Sequence, residues 1–82
     1  MEKRLGAVLI LIQDSTDINK INAIISDHSE RIIGRQGIPI RDRGLNVISL
    51  VLEGDSDDIG SLAGRLGRIN GVKVKSVLVN PE

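Results

Sequence analysis

The sequence contains no cysteine, no aromatic residue and a single histidine, and each absence closes off a class of function. Without thiols, disulfides and thiolate metal sites are excluded. Metal sites need several ligands, so the lone imidazole of His28 reads as a helix-terminal residue that favours the dipole. Without Phe, Tyr or Trp there is no platform on which the bases of a single strand could stack. No charge predominates: 11 basic and 11 acidic residues give a net charge of +0, and no basic stripe runs along any segment. Nucleic-acid binders carry excess Lys and Arg because phosphate neutralisation drives their affinity, so direct binding of DNA or RNA is not expected. The longest apolar run, Leu5 to Ile12, is too short to span a membrane, and no small-residue cleavage site follows it. It reads as a buried strand of a cytoplasmic protein. No nucleophile sits beside a base, no Walker-type loop occurs, and Gly60, Gly64 and Gly67 do not directly follow a strand as a dinucleotide fingerprint requires. The chain is therefore read as a binding protein, not an enzyme, with no cofactor, no metal and no catalytic residue.

A chain of 82 residues makes one domain over residues 1–82. A domain of this size buries only about 60–65% of the surface its unfolded chain exposes, so its stability margin is thin. Small domains add disulfides, a metal or a partner subunit. With the first two excluded, oligomerisation remains.

Leu5 to Ile12 is continuously apolar and rich in branched side chains, the mark of a strand buried on both faces. Asp14-Ser15-Thr16-Asp17 offers helix caps, and Ile18, Ile21, Ile24, Ile25 and His28 recur at helical spacing, which predicts an amphipathic helix from about Ser15 to about His28. Arg31 to Ile40 is a broken apolar stretch; Gly34 and Gly37 suggest a bulge or a close backbone approach, and Pro39 makes it an edge strand or its frayed end. A charged connection ending in Gly44 leads into a third strand, Leu45 to Leu52. Asp55, Asp57 and Asp58 could hold a cation, but they stand where a helix begins and are explained by capping. Ile59, Leu62, Ala63, Leu66 and Ile69 share one face of that second helix. Gly60, Gly64 and Gly67 each weaken it by about 1 kcal/mol relative to alanine, and close packing is the expected compensation. Asn70-Gly71 is expected to end the helix with a left-handed glycine. Val72 to Val79 alternates as the fourth strand, and Asn80-Pro81-Glu82 is a tail.

The order β-α-β-β-α-β, with right-handed crossovers, places both helices on one face of a four-stranded antiparallel sheet. The fold class is α+β, a ferredoxin-like sandwich with strand order 4-1-3-2. The two most apolar strands, the first and third, are then central. The other sheet face is bare. On the first strand either Leu5, Ala7, Leu9 and Leu11 or Gly6, Val8, Ile10 and Ile12 must face away, and both sets are mainly aliphatic. Burying about 400 Å² of such surface per subunit would contribute roughly 10 kcal/mol before association costs. A homodimer or higher homo-oligomer is expected.

Arg31, Arg35, Arg41 and Arg43 cluster about the second strand and its hairpin, with Gly34, Gly37 and Gly44 between them. Guanidinium forks suit carboxylate or phosphate, and glycine lets a ligand approach the backbone. Arg35, Gly37, Arg41 and Arg43 are thus the candidate ligand-binding residues. The competing reading is a solvated hairpin with ion pairs to Asp42.

Leu66-Gly-Arg-Ile-Asn-Gly-Val-Lys-Val-Lys-Ser76, within this layout, resembles ACT and ACT-like domains. Two stretches, Arg31-Ile-Ile-Gly-Arg-Gln-Gly-Ile-Pro-Ile-Arg-Asp-Arg-Gly44 and Ile59-Gly-Ser-Leu-Ala-Gly-Arg-Leu-Gly-Arg-Ile-Asn-Gly-Val72, more closely resemble the iron-only hydrogenase system regulator family. The resemblance covers nearly the whole chain and implies a regulatory role in the production of that enzyme. Amino-acid-binding ACT domains carry a glycine in the loop after the first strand; Gln13-Asp14-Ser15-Thr16 has none, which weakens the case for such a ligand. Nickel-sensing relatives use several histidines and a cysteine, which argues against nickel. The expected function is a free-standing ACT-like regulatory module that oligomerises, binds a small-molecule effector near the interface and acts through a protein partner. The alternative is an accessory or maturation partner with no ligand of its own.

Overall fold

A computed structural model describes residues 4–81. Strand β1 (Arg4–Gln13) leads to helix α1 (Ile18–Asp27), a short 3-10 turn at Ser29–Arg31, and strand β2 (Ile32–Ile40). A second 3-10 turn, Arg41–Arg43, turns the chain into β3 (Leu45–Gly54), followed by α2 (Ser56–Gly67) and β4 (Val72–Val79). The sheet order is β2-β3-β1-β4, and every neighbouring pair is antiparallel. This is the expected ferredoxin-like α+β arrangement, with the two most apolar strands in the centre. Of the C-terminal tail, Glu82 lies outside the described residues.

Helix α1 is shorter than its hydrophobic period suggests. Thr16 N–H is taken by the Gln13 carbonyl in a turn, so the helix is capped at Asp17, whose carboxylate accepts the Asn19 N–H. Ile21 and Ile25 are buried under it, whereas Ile18, in the first turn, is exposed. Helix α2 begins with a reciprocal capping box: Asp55 accepts from Asp58 N–H at 2.9 Å, and Asp58 accepts from Asp55 N–H at 3.0 Å. Two of the three acidic residues at this start are thereby accounted for by capping, and Asp57 stands in the first turn, where the helix dipole favours an acid. The helix ends at Gly67, before Asn70-Gly71. Gly71 has φ +84 and marks the entry to β4, where a Cβ would collide with the Thr16 hydroxyl. Only glycine meets both conditions.

The glycines inside α2 correct one expectation. A Cβ at Gly60, Gly64 or Gly67 would meet nothing within 4 Å, so close packing does not explain them. They lie on the solvent side of a helix held down by Ile59, Leu62 and Leu66. The close approach occurs instead at Gly6 on β1, where a Cβ would stand 2.5 Å from Ile59 Cδ1 and 3.3 Å from the Val77 carbonyl oxygen.

The core is wholly aliphatic. Val8, Ile10 and Ile12 from β1 and Ile48, Leu50 and Leu52 from β3 meet Ile21, Ile25, Ile59, Leu62 and Leu66 of the helices, with Val72 at the margin. Tertiary packing therefore decides between the two sets on each strand. The set Gly6, Val8, Ile10, Ile12 faces the helices, and Leu5, Ala7, Leu9, Leu11 faces away.

Candidate functional site

The outward face of the sheet is a continuous aliphatic surface. Register places Leu5, Ala7, Leu9 and Leu11 of β1 beside Val51, Ser49 and Val47 of β3 and beside Val79, Val77, Lys75 and Lys73 of β4. On the far side, Gln36, Ile38 and Ile40 of β2 continue it across Ser49, Val47 and Leu45. Leu5, Leu9, Ile38, Val51, Val77 and Val79 are exposed there, Val77 by 55%. Apart from Ser49, opposite Leu9 on β3, the polar groups of this face lie on the edge strands and at a strand end: Lys73 and Lys75 on β4, Gln36 on β2, and Glu53 at the end of β3.

The β2 edge carries the predicted bulge. Register shifts between Ile32 and Gly34, which leaves Ile33 outside the ladder and exposed. Pro39 sits in this edge strand opposite Asn46, where its missing N–H costs the sheet least.

The candidate ligand residues do not converge on one point. Arg35 and Gly37 line a groove of about 460 Å³ on the helix side of the sheet, between β2, β3 and the loop that precedes α1. Its floor is Ile12, Pro39 and Ile48, with Ile18 on the helix side. Arg35 donates to Asn22 Oδ1 of α1 at 3.0 Å, and Asp14, across the groove, accepts from Asn46 Nδ2 at 3.1 Å. Both charged groups are thus held by residues of this chain. Arg43 lines a different cavity, of about 330 Å³, at the end of the sheet where β1, β3 and β4 meet. Arg41 lines neither; its carbonyl accepts the Gly44 N–H that closes the turn, with Gly44 left-handed at φ 63.

The remaining candidates have local explanations. Arg31 Nε lies 3.2 Å from Asp58 Oδ1 and ties the turn before β2 to the start of α2. Among the described residues Asp42 forms no ion pair with the hairpin arginines, whereas Asp58 and Asp27 each bind an arginine, the latter 2.9 Å from Arg65. His28 caps α1, and its Nδ1 stands 2.9 Å from the Ile24 carbonyl, so the ring is a helix-end donor. The Asp55 carboxyl is held below the usual carboxylate range, chiefly by the Asp58 N–H it accepts. That shift reflects capping, since Asp55 lines neither cavity.

Nothing in the sequence pointed to Asp14 and Asn46 in the first groove, to Asn22 as the partner of Arg35, or to Lys73 in the second cavity. Period-two alternation does put Lys73 on the same face as Val77 and Val79. Its position beside Leu11 needs the β1–β4 register.

Comparison with known proteins agrees with this geometry. No curated protein matches the chain. The structure of an uncharacterized protein, TM1266, from Thermotoga maritima superposes with a TM-score of 0.89 at 39% identity, covering 95% of this chain and 99% of that one. The C-terminal domain of the MgtC protein from Mycobacterium tuberculosis, at 14% identity and a TM-score of 0.73, covers 95% of this chain and 89% of its own. That second likeness is one of fold. The family model TM1266-like, described as "Iron-only hydrogenase system regulator, putative", matches residues 4–76. The chain belongs to the TM1266-like iron-only hydrogenase system regulator family.

Proposed function

We propose that this chain is a cytoplasmic regulatory module of the iron-only hydrogenase system that works by self-association through its open sheet face. The observation that carries the reading is the continuous aliphatic surface on that face. Its half-exposed side chains leave on the order of 500 Å² of apolar area per copy, at the upper end of what the largest patch on a typical monomer presents. Two copies placed face to face would bury roughly 1,000 Å², the threshold at which a specific interface becomes tenable. Small side chains and alternating Leu and Val make the face flat enough for sheet-on-sheet packing.

A small effector in the groove beside Arg35 and Gly37 would bias the assembly by binding its states unequally. The balanced net charge favours a protein as the downstream target over nucleic acid. The reading is of a binding protein, with no catalytic step assigned to any residue.

Size-exclusion chromatography with light scattering tests it. A dimer or larger assembly at micromolar concentration is expected. A monomer at ~100 µM would refute self-association and hand the open face to a different protein, as an accessory subunit requires.

A further inference from the structure

Among the cations on or beside the open face that have no acid to answer them, two share a cavity. Arg43, at the end of the second 3-10 turn, and Lys73, near the start of β4, make no side-chain hydrogen bond or ion pair among the described residues. Arg31, Arg35 and Arg65 each make one. Arg43 and Lys73 line the same cavity of about 330 Å³. Leu11 and Leu45 belong to the open face and give the cavity an apolar floor, Val72 borders it, and Gln13 supplies an amide. None of the residues lining it is acidic.

We propose that this cavity binds a small organic dianion carried on a short aliphatic stem, a dicarboxylate or a phosphate monoester. The guanidinium of Arg43 offers a planar fork of donors that matches carboxylate or phosphate, and the Lys73 ammonium adds a mobile point charge. Two positive charges lining one cavity repel each other, and a dianion relieves that repulsion where a monoanion relieves only part of it. The leucines accept the stem, and the volume is that of a small metabolite site. The larger groove beside Arg35 is a poorer place for such a ligand. Its arginine is already held by Asn22, and the Asp14 carboxylate faces any entering anion.

The cavity opens on the face proposed to self-associate, so an occupant removes positive charge from that face and tightens the assembly. This regulatory consequence rests on the self-association reading; the binding itself does not.

Nuclear magnetic resonance titration of the full chain at low ionic strength, with succinate, glycerol 3-phosphate and propionate as probes, tests the site. Saturable shifts centred on Leu11, Arg43, Leu45 and Lys73 are expected with one or both dianions, and whichever binds more tightly identifies the anion class. Propionate should bind about tenfold more weakly than that dianion. Arg43→Gln and Lys73→Gln should each weaken binding about tenfold, whereas Arg41→Gln and Lys75→Gln, which remove the same charge nearby, should change it less than about twofold. Failure of both dianions to give saturable shifts, or equal losses in all four variants, overturns the site. Sedimentation velocity on the same samples separates the two readings: saturable binding by a chain that stays monomeric keeps the anion site and refutes self-association.

Discussion

Leu9 is the residue on which the self-association reading can be tested most sharply. It lies near the middle of β1 on the outward face, 44% exposed, between Ser49 of β3 and Lys75 of β4. Complete burial of a leucine side chain contributes about 2 kcal/mol, so covering the part left exposed is worth about 1 kcal/mol per copy. A two-fold interface counts each residue twice, so Leu9→Ala should weaken a dimer by about 2 kcal/mol, or roughly thirty-fold in Kd. Leu9→Lys goes further. It removes the same contact and sets a second cation directly across from Lys75 within a desolvated surface, a penalty of at least similar size. The expected weakening is on the order of a thousand-fold. Ile18→Lys is the matched control: Ile18 is 43% exposed, on the helix side of the sheet. Sedimentation equilibrium across a concentration series, with circular dichroism to confirm that each variant remains folded, measures all three. If Leu9→Lys and Ile18→Lys weaken association equally, or if neither does, the sheet face is not the contact surface and the argument from its aliphatic area fails.

Other predictions concern the scaffold. Gly60→Ala and Gly64→Ala should each raise stability by about 0.5–1 kcal/mol in urea unfolding, because a Cβ there meets open space and alanine lowers the entropy cost of the helix; destabilisation by either would show that the solvent side of α2 is occupied. Gly6→Ala should destabilise by about 1–3 kcal/mol in the same assay, since Ile59 must give way and the Val77 carbonyl cannot. The Asp55 cap has a definite pH signature. Its carboxyl is depressed in the folded protein, so its stabilising contribution is fully present above the ordinary carboxylate range and disappears as pH falls through the lowered value. The melting temperature of Asp55→Ala should therefore lie below wild type at pH 7 and converge with it in strong acid; a gap that stays constant with pH would assign the effect to something other than the ionised cap.

Much of the architecture was legible because periodicity and burial coincide in so short a chain. The run Leu5 to Ile12 favoured a buried strand, and the spacing of Ile59, Leu62 and Leu66 a helix with one buried face. Pro39 announced an edge, and the glycines around it announced a bulge that the register shift at Ile33 locates. Boundaries were less legible. Asp14, Ser15, Thr16 and Asp17 are all competent caps, and only the turn hydrogen bond from Thr16 to Gln13 selects the last of them. The α2 glycines misled because propensity states their cost without stating which way they point.

What the sequence determined by itself is the count, type and order of elements, the absence of thiol and aromatic chemistry, and the existence of more aliphatic strand surface than two short helices can shelter. These follow from residue identity and spacing along one dimension. The tertiary structure alone decided which alternating set of each strand faces out, because both sets on β1 are apolar and only packing against Ile21, Ile25, Ile59, Leu62 and Leu66 separates them. It likewise separated Arg35 from Arg43, eight positions apart on one hairpin, and brought Arg43 to a cavity shared with Lys73. Charges distant along the chain meet through strand register, which is set by the sum of core contacts and is written in no single segment.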